Sequence, residues 1–355
     1  MSNADISFSP SLYHRHLLGI MSPTMSFKDG NVVEWQGRLR QKLSELMGFG
    51  EEERVPLAPR TLWKKDHPLG TIEKVVFASE PYADVMAYVC LPRDVAPPYD
   101  FWICLQGHST GAHVSIARER ENEDVLLPVE GDRDFGIGCM RLGMAALCIE
   151  QRSFGERREQ SQKLVSDMGC HDATMQALAL GKTLIGERVY DVDRGIDYLA
   201  WRADANMNRV GVMGNSGGGT TTLFSAALLP RVAFAMPSCY FCTFRDSIMQ
   251  IYHCADNYIP GIMRVAEMSD ILGLFAPKPL VIVAGETDDI FPLRGVRAAY
   301  CQLQRIYQEA GAPENCSLVI GHGGHRFYAD DAWPVMLERI GNVHGINPSL
   351  HEGGK

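Results

Sequence analysis

The feature that most constrains this chain is a serine in a G-x-S-x-G pattern, which stands between an apolar run and a helix start. The pattern runs from Gly214 to Gly218 and has Ser216 at its centre. Glycines let the backbone bend sharply enough to hold a serine hydroxyl above the end of a strand. The amide of Gly217, at the helix N-terminus, is then placed to donate to a developing oxyanion. The pattern therefore predicts a nucleophilic serine, with a simple Gly- and Ser-rich turn as the alternative.

A serine nucleophile needs an acid that orients its base, and one loop of the chain offers three carboxylates. The apolar run 279–284 predicts a buried parallel strand. Glu286, Asp288 and Asp289 follow that run within a few residues. Because the three carboxylates share one loop, all three are candidates for the orienting acid.

The candidate base lies in a later loop. Residues 316–320 predict another strand, which runs into a Gly-rich loop that holds His322 and His325. His325 follows a pair of glycines that let the loop fold back over the edge of the sheet. His322 lies closer to the strand end, where a hydrogen bond within the loop is its alternative role. We therefore expect His325 to be the base and keep His322 as the second candidate.

Strand and helix patterns alternate along the chain, which predicts an α/β fold with a mostly parallel, doubly wound sheet and helices on both faces. One long helical pattern, over 173–201, precedes the strand that carries the serine motif. Further helices are expected over 293–310 and 331–340. The other expected strands cover residues 71–78, 85–91, 101–105, 144–149 and 232–236.

Three parts are expected along the chain: an N-terminal helical extension over 1–60, a catalytic domain over 61–345 and a C-terminal tail over 346–355. Within the extension, apolar residues recur at helical spacing, and Gly48 is the expected helix stop. These apolar residues are Trp35, Leu39, Leu43, Leu46 and Met47. The pattern predicts an amphipathic helix outside the catalytic core, used for packing or for contact with a second copy of the chain.

Charge and hydropathy argue against two classes of partner. The formal net charge is -9, whereas a nucleic-acid-binding surface needs clustered Lys and Arg. No long uncharged apolar run occurs, so no membrane span is expected. The first residues, MSNADISF, lack the basic and apolar regions of a secretory signal, and a cytoplasmic location is therefore expected.

The ten cysteines raise the question of redox or metal chemistry. Several stand in apolar, strand-like surroundings, which is typical of reduced core residues. Cys239 and Cys242 form a C-x-x-C pattern, but no second such pair follows. The Cys-His pairs at 170–171 and 253–254 are dispersed and lack the spacing of a metal finger. We therefore expect neither a metal nor a cofactor.

Three further stretches, together with the serine motif, carry a family resemblance. They are EQRSFGERR at 150–158, NYIPG at 257–261 and APKPLVI at 276–282. Between Trp63 and Arg339 the chain resembles the α/β-hydrolase superfamily, in the branch of dienelactone-hydrolase-like and acetyl xylan esterase-like proteins. The resemblance implies the α/β-hydrolase fold and a serine esterase that acts on a small-molecule ester with a short acyl group. Amide or carbon-carbon bond hydrolysis by the same residues is the alternative, and a non-catalytic ligand-binding homologue is a third reading.

The resemblance also assigns roles in the site. Its acid-loop spacing favours Asp288, three residues after Gly285, as the group that orients His325. The loop after 101–105 supplies the second oxyanion donor in such proteins, which here is the amide of His108. Gln106 stands where many relatives have the histidine of a His-Gly-x turn. No cofactor is implied.

Two segments outside the expected strands and helices, about 154–174 and 239–271, are expected to shape the substrate pocket. The polar side chains in or beside them best suited to touch a ligand are Arg152, His171, Tyr240, His253 and Tyr258. Aromatic residues crowd the second segment, and we expect them to wall a small acyl pocket. They are Tyr240, Phe241, Phe244, Tyr252 and Tyr258.

Overall fold

A nine-stranded sheet forms the centre of the computed structural model, which describes residues 8–159 and 169–341. The strand order across the sheet is β1-β2-β3-β5-β4-β6-β7-β8-β9. In chain order the strands are β1 (Arg60–His67), β2 (Gly70–Glu80), β3 (Ala83–Pro92), β4 (Tyr99–Leu105), β5 (Ala145–Ile149), β6 (Ala205–Asn215), β7 (Phe234–Ser238), β8 (Leu280–Gly285) and β9 (Cys316–Gly321).

The strands in the order β5-β4-β6-β7-β8-β9 pair parallel, whereas β1, β2 and β3 pair antiparallel, and β3 joins this part of the sheet by antiparallel pairing with β5. In a parallel sheet the carboxyl ends of the strands share one edge, and loops at that edge carry ligand sites. The ends of β4, β6, β8 and β9 therefore bring four separate loops to the same side of the molecule.

The described residues form nine α-helices. They are α1 (Pro10–Ile20), α2 (Val32–Met47), α3 (Phe135–Arg141), α4 (His171–Ala179), α5 (Leu184–Trp201), α6 (Gly217–Leu228), α7 (Met268–Gly273), α8 (Leu293–Glu309) and α9 (Ala329–Ile340). Along β4, Ile103 and Leu105 belong to one buried apolar cluster, while Trp102 and Cys104 belong to another. Because successive side chains of a strand point to opposite faces, the two clusters lie on the two faces of the sheet. The predicted α/β fold, a mostly parallel sheet covered on both faces, is confirmed.

Besides the short helices α3 and α7, where no helix was expected, the structure differs from the sequence expectation at two elements. The single helix expected over 173–201 is two helices, because the chain turns at Gly181, where φ is 75°, and α5 starts anew. The Thr183 hydroxyl caps α5 by accepting from the amide of Gly186 at 3.1 Å. The edge strand β1 was not expected, since its side chains are exposed or half-buried and lack an apolar pattern.

The amphipathic helix expected before Gly48 occurs as α2. Its apolar face, including Trp35 and Leu39, belongs to the same buried cluster as one face of the sheet. The side-chain amide of Gln36 also donates to the carbonyls of Gly273 and Ala276, at 3.0 and 2.8 Å. This face of α2 is thus covered within the chain itself.

The expected tail over 346–355 lies outside the described residues. Among the helices of the described part, none combines the length and the apolar character that crossing a membrane requires.

Candidate active site

Ser216 stands alone between β6, which ends at Asn215, and α6, which begins at Gly217. Its φ of 58° and ψ of -120° are strained for a residue with a side chain. Two backbone hydrogen bonds hold this turn: the Ser216 amide donates to Ser238, and its carbonyl accepts from the amide of Thr220, both at 2.9 Å. A strained serine held in this way at a strand end matches the nucleophile turn that the motif predicted.

Glycine is required around Ser216 because two backbones approach closely. A Cβ added to Gly218 would lie 2.0 Å from the carbonyl oxygen of Leu105 at the end of β4. A Cβ on Gly214 would lie 2.6 Å from the same oxygen and 2.6 Å from that of Gly218. The G-x-S-x-G pattern thus lets β6 and α6 pack directly against β4.

We expect Gly218→Ala to lower the free energy of unfolding by about 3 kcal/mol, because the new methyl group must displace backbone rather than a flexible side chain. Gly138→Ala is the matched control, since a Cβ at this position in α3 meets nothing within 4 Å. In an open helical position the change from Gly to Ala stabilises by about 0.5–1 kcal/mol. Urea denaturation of both variants measures the difference, and equal stabilities would contradict the close-approach argument.

The acid loop after β8 places Asp288 against the base loop after β9. Asp288 Oδ2 lies 2.8 Å from His325 Nδ1, and the Asp288 side chain is 1% exposed. Its other oxygen accepts from the amides of Ile290 and Phe291, at 2.9 and 3.2 Å. Burial opposes ionisation of Asp288, but these hydrogen bonds and the nearby imidazole together hold its pKa below the ordinary value. Asp288 is therefore a carboxylate that can orient the His325 ring and stabilise its protonated form.

The alternative acids and the alternative base lie at the surface. Glu286 and Asp289 are both exposed. His322 is 95% exposed, and its Nδ1 lies 3.1 Å from Glu286 Oε2. The fold thus makes two acid-histidine pairs from one pair of loops, of which the Asp288-His325 pair is the more buried one.

Cys239 connects the serine turn with the acid-base pair. It directly follows Ser238, the residue that accepts the Ser216 amide, and its Sγ lies within 4.8 Å of the ligand atoms of Asp288 and His325. Burial and the Asp288 charge raise the pKa of the Cys239 thiol to about 12, so this thiol stays neutral. No hydrogen bond joins Ser216 Oγ to His325 within the described residues, and such bonds commonly shorten only when substrate binds.

The loop after β4 passes directly beside Ser216. A Cβ on Gly107 would lie 3.1 Å from the Asn215 carbonyl oxygen and 3.2 Å from the Ser216 Cβ, closer than ordinary van der Waals contact. The next residue is His108, whose amide, like that of Gly217, has no acceptor among the described residues. Two unpaired amides close to a serine hydroxyl can bind a developing oxyanion.

Gln106 holds this loop in place through hydrogen bonds to other segments of the chain. Its side-chain amide donates to Ser115 Oγ and to the Arg133 carbonyl, both at 2.7 Å. Its backbone carbonyl accepts from the Gln151 side chain at 2.6 Å. A buried glutamine thus occupies the place of the histidine found in the His-Gly-x turn, and it ties three chain segments together.

The His108 side chain is held by a buried ion pair that the sequence patterns did not reveal. His108 Nε2 lies 2.9 and 3.0 Å from the two oxygens of Asp256, and Arg188 Nη1 donates to Asp256 Oδ2 at 2.5 Å. Burial alone lowers the pKa of His108, but the Asp256 charge and hydrogen bond outweigh it and raise the pKa to about 9. No local motif marks Asp256 or Arg188, because they meet His108 only in the fold.

A polar cavity of about 250 Å³ lies beside His108. His108 and Phe154 form the wall nearest the serine turn, since a Cβ on Gly217 would lie 2.7 Å from His108 Nδ1 and 3.2 Å from Phe154 Cζ. The rest of the wall includes Ser109, Thr110, His113, Arg120, Glu121 and Arg158. Such a lining suits a ligand with several hydrogen-bonding groups.

Four of the five expected ligand contacts, all but Tyr240, have hydrogen-bond or ion-pair partners within the protein. Arg152 Nε lies 2.9 Å from Asp191 Oδ2, and Arg152 Nη2 lies 2.6 Å from Glu80 Oε2. His171 is the first residue of α4, 57% exposed, with Nδ1 3.1 Å from Asp172 Oδ1. The structure therefore places the Arg152 charge in an ion-pair network rather than beside His325. Of the expected pocket segment 154–174, residues 160–168 lie outside the described part of the chain.

Two of the other expected contacts, Tyr240 and His253, lie nearer the base. The rings of Tyr240 and His253 lie 5.3 and 5.6 Å from that of Phe291, which stacks on His325 at 5.9 Å. Burial lowers the pKa of His253 to about 4, so this ring is neutral. Tyr258 is 40% exposed.

The remaining aromatic residues do not line the site together. Phe241 and Phe244 are buried in the apolar core, whereas Tyr252 is 79% exposed. The aromatic wall near His325 is instead built on Phe291, which sequence reasoning missed. Its signal was its place in the acid loop, three residues after Asp288.

Comparisons with known proteins agree with this architecture. A model of the Abhydrolase family matches residues 14–333. The "Putative hydrolase YtaP" of Bacillus subtilis (strain 168) is 25% identical over 291 residues, which cover 81% of this chain and 92% of that protein. The solved structure of a "putative acetyl xylan esterase" from Bacteroides fragilis NCTC 9343 has a TM-score of 0.74 at 17% identity, over 91% of this chain and 84% of its own. A glucuronoyl esterase from Solibacter usitatus has a TM-score of 0.61 at 14% identity, over 90% and 96%.

Proposed function

Because the chain belongs to the Abhydrolase family of the α/β-hydrolase superfamily, and is therefore a hydrolase, we propose that it cleaves carboxylic esters through an acyl-enzyme on Ser216. The superfamily membership expected from the sequence, on an esterase-like branch, is confirmed. The observation that carries the proposal is the strained Ser216 turn on the same sheet edge as the buried Asp288-His325 pair, whose donor and acceptor lie 2.8 Å apart.

Each group has one role in the reaction. Ser216 Oγ attacks the ester carbonyl while His325 accepts its proton at Nε2, because Nδ1 faces Asp288. The amides of Gly217 and His108 donate to the oxyanion. His325 then gives the proton to the departing alcohol, and a water molecule releases the acid by the same steps. Asp288 stays ionised throughout and stabilises the imidazolium.

Two features support a short acyl group and a polar alcohol. On the His325 side, the buried rings of Tyr240 and Phe291 pack together and Phe291 stacks on His325, which supports a small acyl pocket. The cavity beside His108, next to the serine turn, offers hydroxyl, imidazole and guanidinium groups. A sugar or another hydroxylated alcohol matches that lining, which supports an acetyl-type ester of such an alcohol as the substrate.

The test of this function uses Ser216 labelling by a fluorophosphonate and hydrolysis of nitrophenyl acetate. We expect both, with the label on Ser216 by peptide mass mapping. The matched acetanilide and a diketone are run in parallel, because an amide or carbon-carbon bond hydrolase prefers one of them to the ester. A protein that neither labels nor turns over any of the three is not a serine hydrolase, and the proposal is then wrong.

We expect acetyl to butyryl nitrophenyl esters to exceed octanoyl and longer ones in kcat/KM. Methylenes that must displace packed side chains cost about 1–3 kcal/mol, or roughly 5- to 200-fold in rate. Phe291→Leu should relax this limit, whereas Phe244→Leu, a buried core change, should not. A series from acetyl to dodecanoyl decides the point. In an open groove each added methylene would help by about 0.8 kcal/mol, and a steady rise to octanoyl would refute the small pocket.

A further inference from the structure

Four potential metal ligands that are far apart in the sequence meet beside the polar cavity. They are His108 in the loop after β4, Cys170 at the N-terminus of α4, and Cys254 and Asp256 in the turn of the 255–257 helix. One ligand atom from each lies within 4.8 Å of those of the other three. Around a tetrahedral zinc ion, sulfur and nitrogen ligands lie about 3.3–3.8 Å apart. Side-chain shifts of about 1 Å therefore suffice to close the four groups around an ion.

The donor set selects the class of ion. Two thiols and an imidazole are ligands that favour zinc and similar borderline-soft divalent ions over Mg²⁺ and Ca²⁺. Cys170 and Cys254 are both free and buried, so no disulfide removes them from the set. Four protein ligands leave no open position, which is typical of a structural zinc site rather than a catalytic one.

Charge balance also fits a divalent ion. Arg188, 1% exposed, already neutralises Asp256, which is 2% exposed. Two cysteine thiolates would then neutralise the two positive charges of the ion, while His108 binds as a neutral ring. Buried charges are tolerated only when paired or bound to a metal, and this arrangement leaves none uncompensated.

The site also has an access route and a second set of contacts that hold the ligands. His108, Cys170 and Cys254 all line the polar cavity, so an ion reaches them from solvent. Arg188 fixes Asp256 from the far side, and such outer contacts orient metal ligands. We propose that His108, Cys170, Cys254 and Asp256 bind a zinc-type divalent ion that ties the oxyanion loop to the two segments bordering the cavity.

The proposal is independent of the ester chemistry, and metal binding is its readout. The full chain, purified without chelator, is expected to hold stoichiometric zinc by elemental analysis. After chelation, added Co²⁺ should give thiolate-to-cobalt charge-transfer absorption, and added Zn²⁺ should raise Tm. Cys170→Ser and Cys254→Ser should each weaken Zn²⁺ binding at least about tenfold. Ser216→Ala should bind the ion as the parent does, which separates this result from failure of the esterase proposal.

Cys301→Ser is the matched control, because Cys301 is the exposed cysteine among the described residues. It should leave zinc content and the cobalt spectrum unchanged. Circular dichroism reports whether each variant folds. If Cys170→Ser or Cys254→Ser fails to fold, the other of the two is used for the binding measurement. The proposal is overturned if the chelated chain, with both thiols intact, binds neither Zn²⁺ nor Co²⁺ at micromolar concentrations. It is equally overturned if the Cys301 variant loses the metal, or if mass spectrometry finds Cys170 and Cys254 joined in a disulfide.

Discussion

Ser216→Ala is expected to lower kcat for a nitrophenyl ester by about 10⁴-fold or more while leaving the fold intact. The loss is large because no other group can form the acyl-enzyme at this position. The fold should survive because the turn is held by backbone hydrogen bonds to Ser238 and Thr220, which do not involve the Ser216 hydroxyl. Steady-state kinetics and denaturation of the same preparation check both halves of the expectation.

Ser225→Ala is the matched control for that loss. Ser225 lies on the same helix, α6, and its buried hydroxyl has no hydrogen-bond partner among the described residues. Removing an unpaired buried hydroxyl should leave kcat within about threefold of the parent and should not destabilise the chain. If Ser216→Ala keeps activity within tenfold of the parent, Ser216 is not the nucleophile.

His325→Ala is expected to abolish both ester turnover and fluorophosphonate labelling, again by about 10⁴-fold. Without the imidazole, nothing accepts the serine proton, and the Asp288 carboxylate is left buried without its partner. Labelling is the sharper readout, because it reports activation of the serine and not release of product. Mass spectrometry of the intact chain after timed exposure to the reagent measures its rate.

His322→Ala is the companion variant, since both histidines lie in one loop and each is paired with an acid. An exposed pair contributes only about 0–1 kcal/mol, so His322→Ala should keep most of the turnover and labelling. The reverse pattern, with activity lost in His322→Ala and kept in His325→Ala, would show that His322 is the base and that the assignment to His325 is wrong.

Local patterns in the sequence were enough to predict the fold class. Alternating strand and helix runs predicted the parallel sheet with helices on both faces, because burial on both sides of a strand leaves a continuous apolar signature. The serine turn was also recognisable from the sequence, since only glycine at 214 and 218 allows β6 and α6 to approach β4 so closely. The edge strand β1 was not predicted from the sequence, because this strand lacks an apolar pattern. The break at Gly181 was not predicted either, because a single glycine there lies inside an otherwise helical run.

Contacts between loops were decided only by the tertiary structure. From the sequence, three acids and two histidines were open, and the distance of 2.8 Å between Asp288 and His325 depends on β8 and β9 lying side by side. The ring of Phe291 on His325 and the meeting of Cys170 with Cys254 likewise involve residues far apart along the chain. Sequence spacing encodes local turns and burial, whereas distances between separate loops follow from strand order, and strand order is a property of the whole folded sheet.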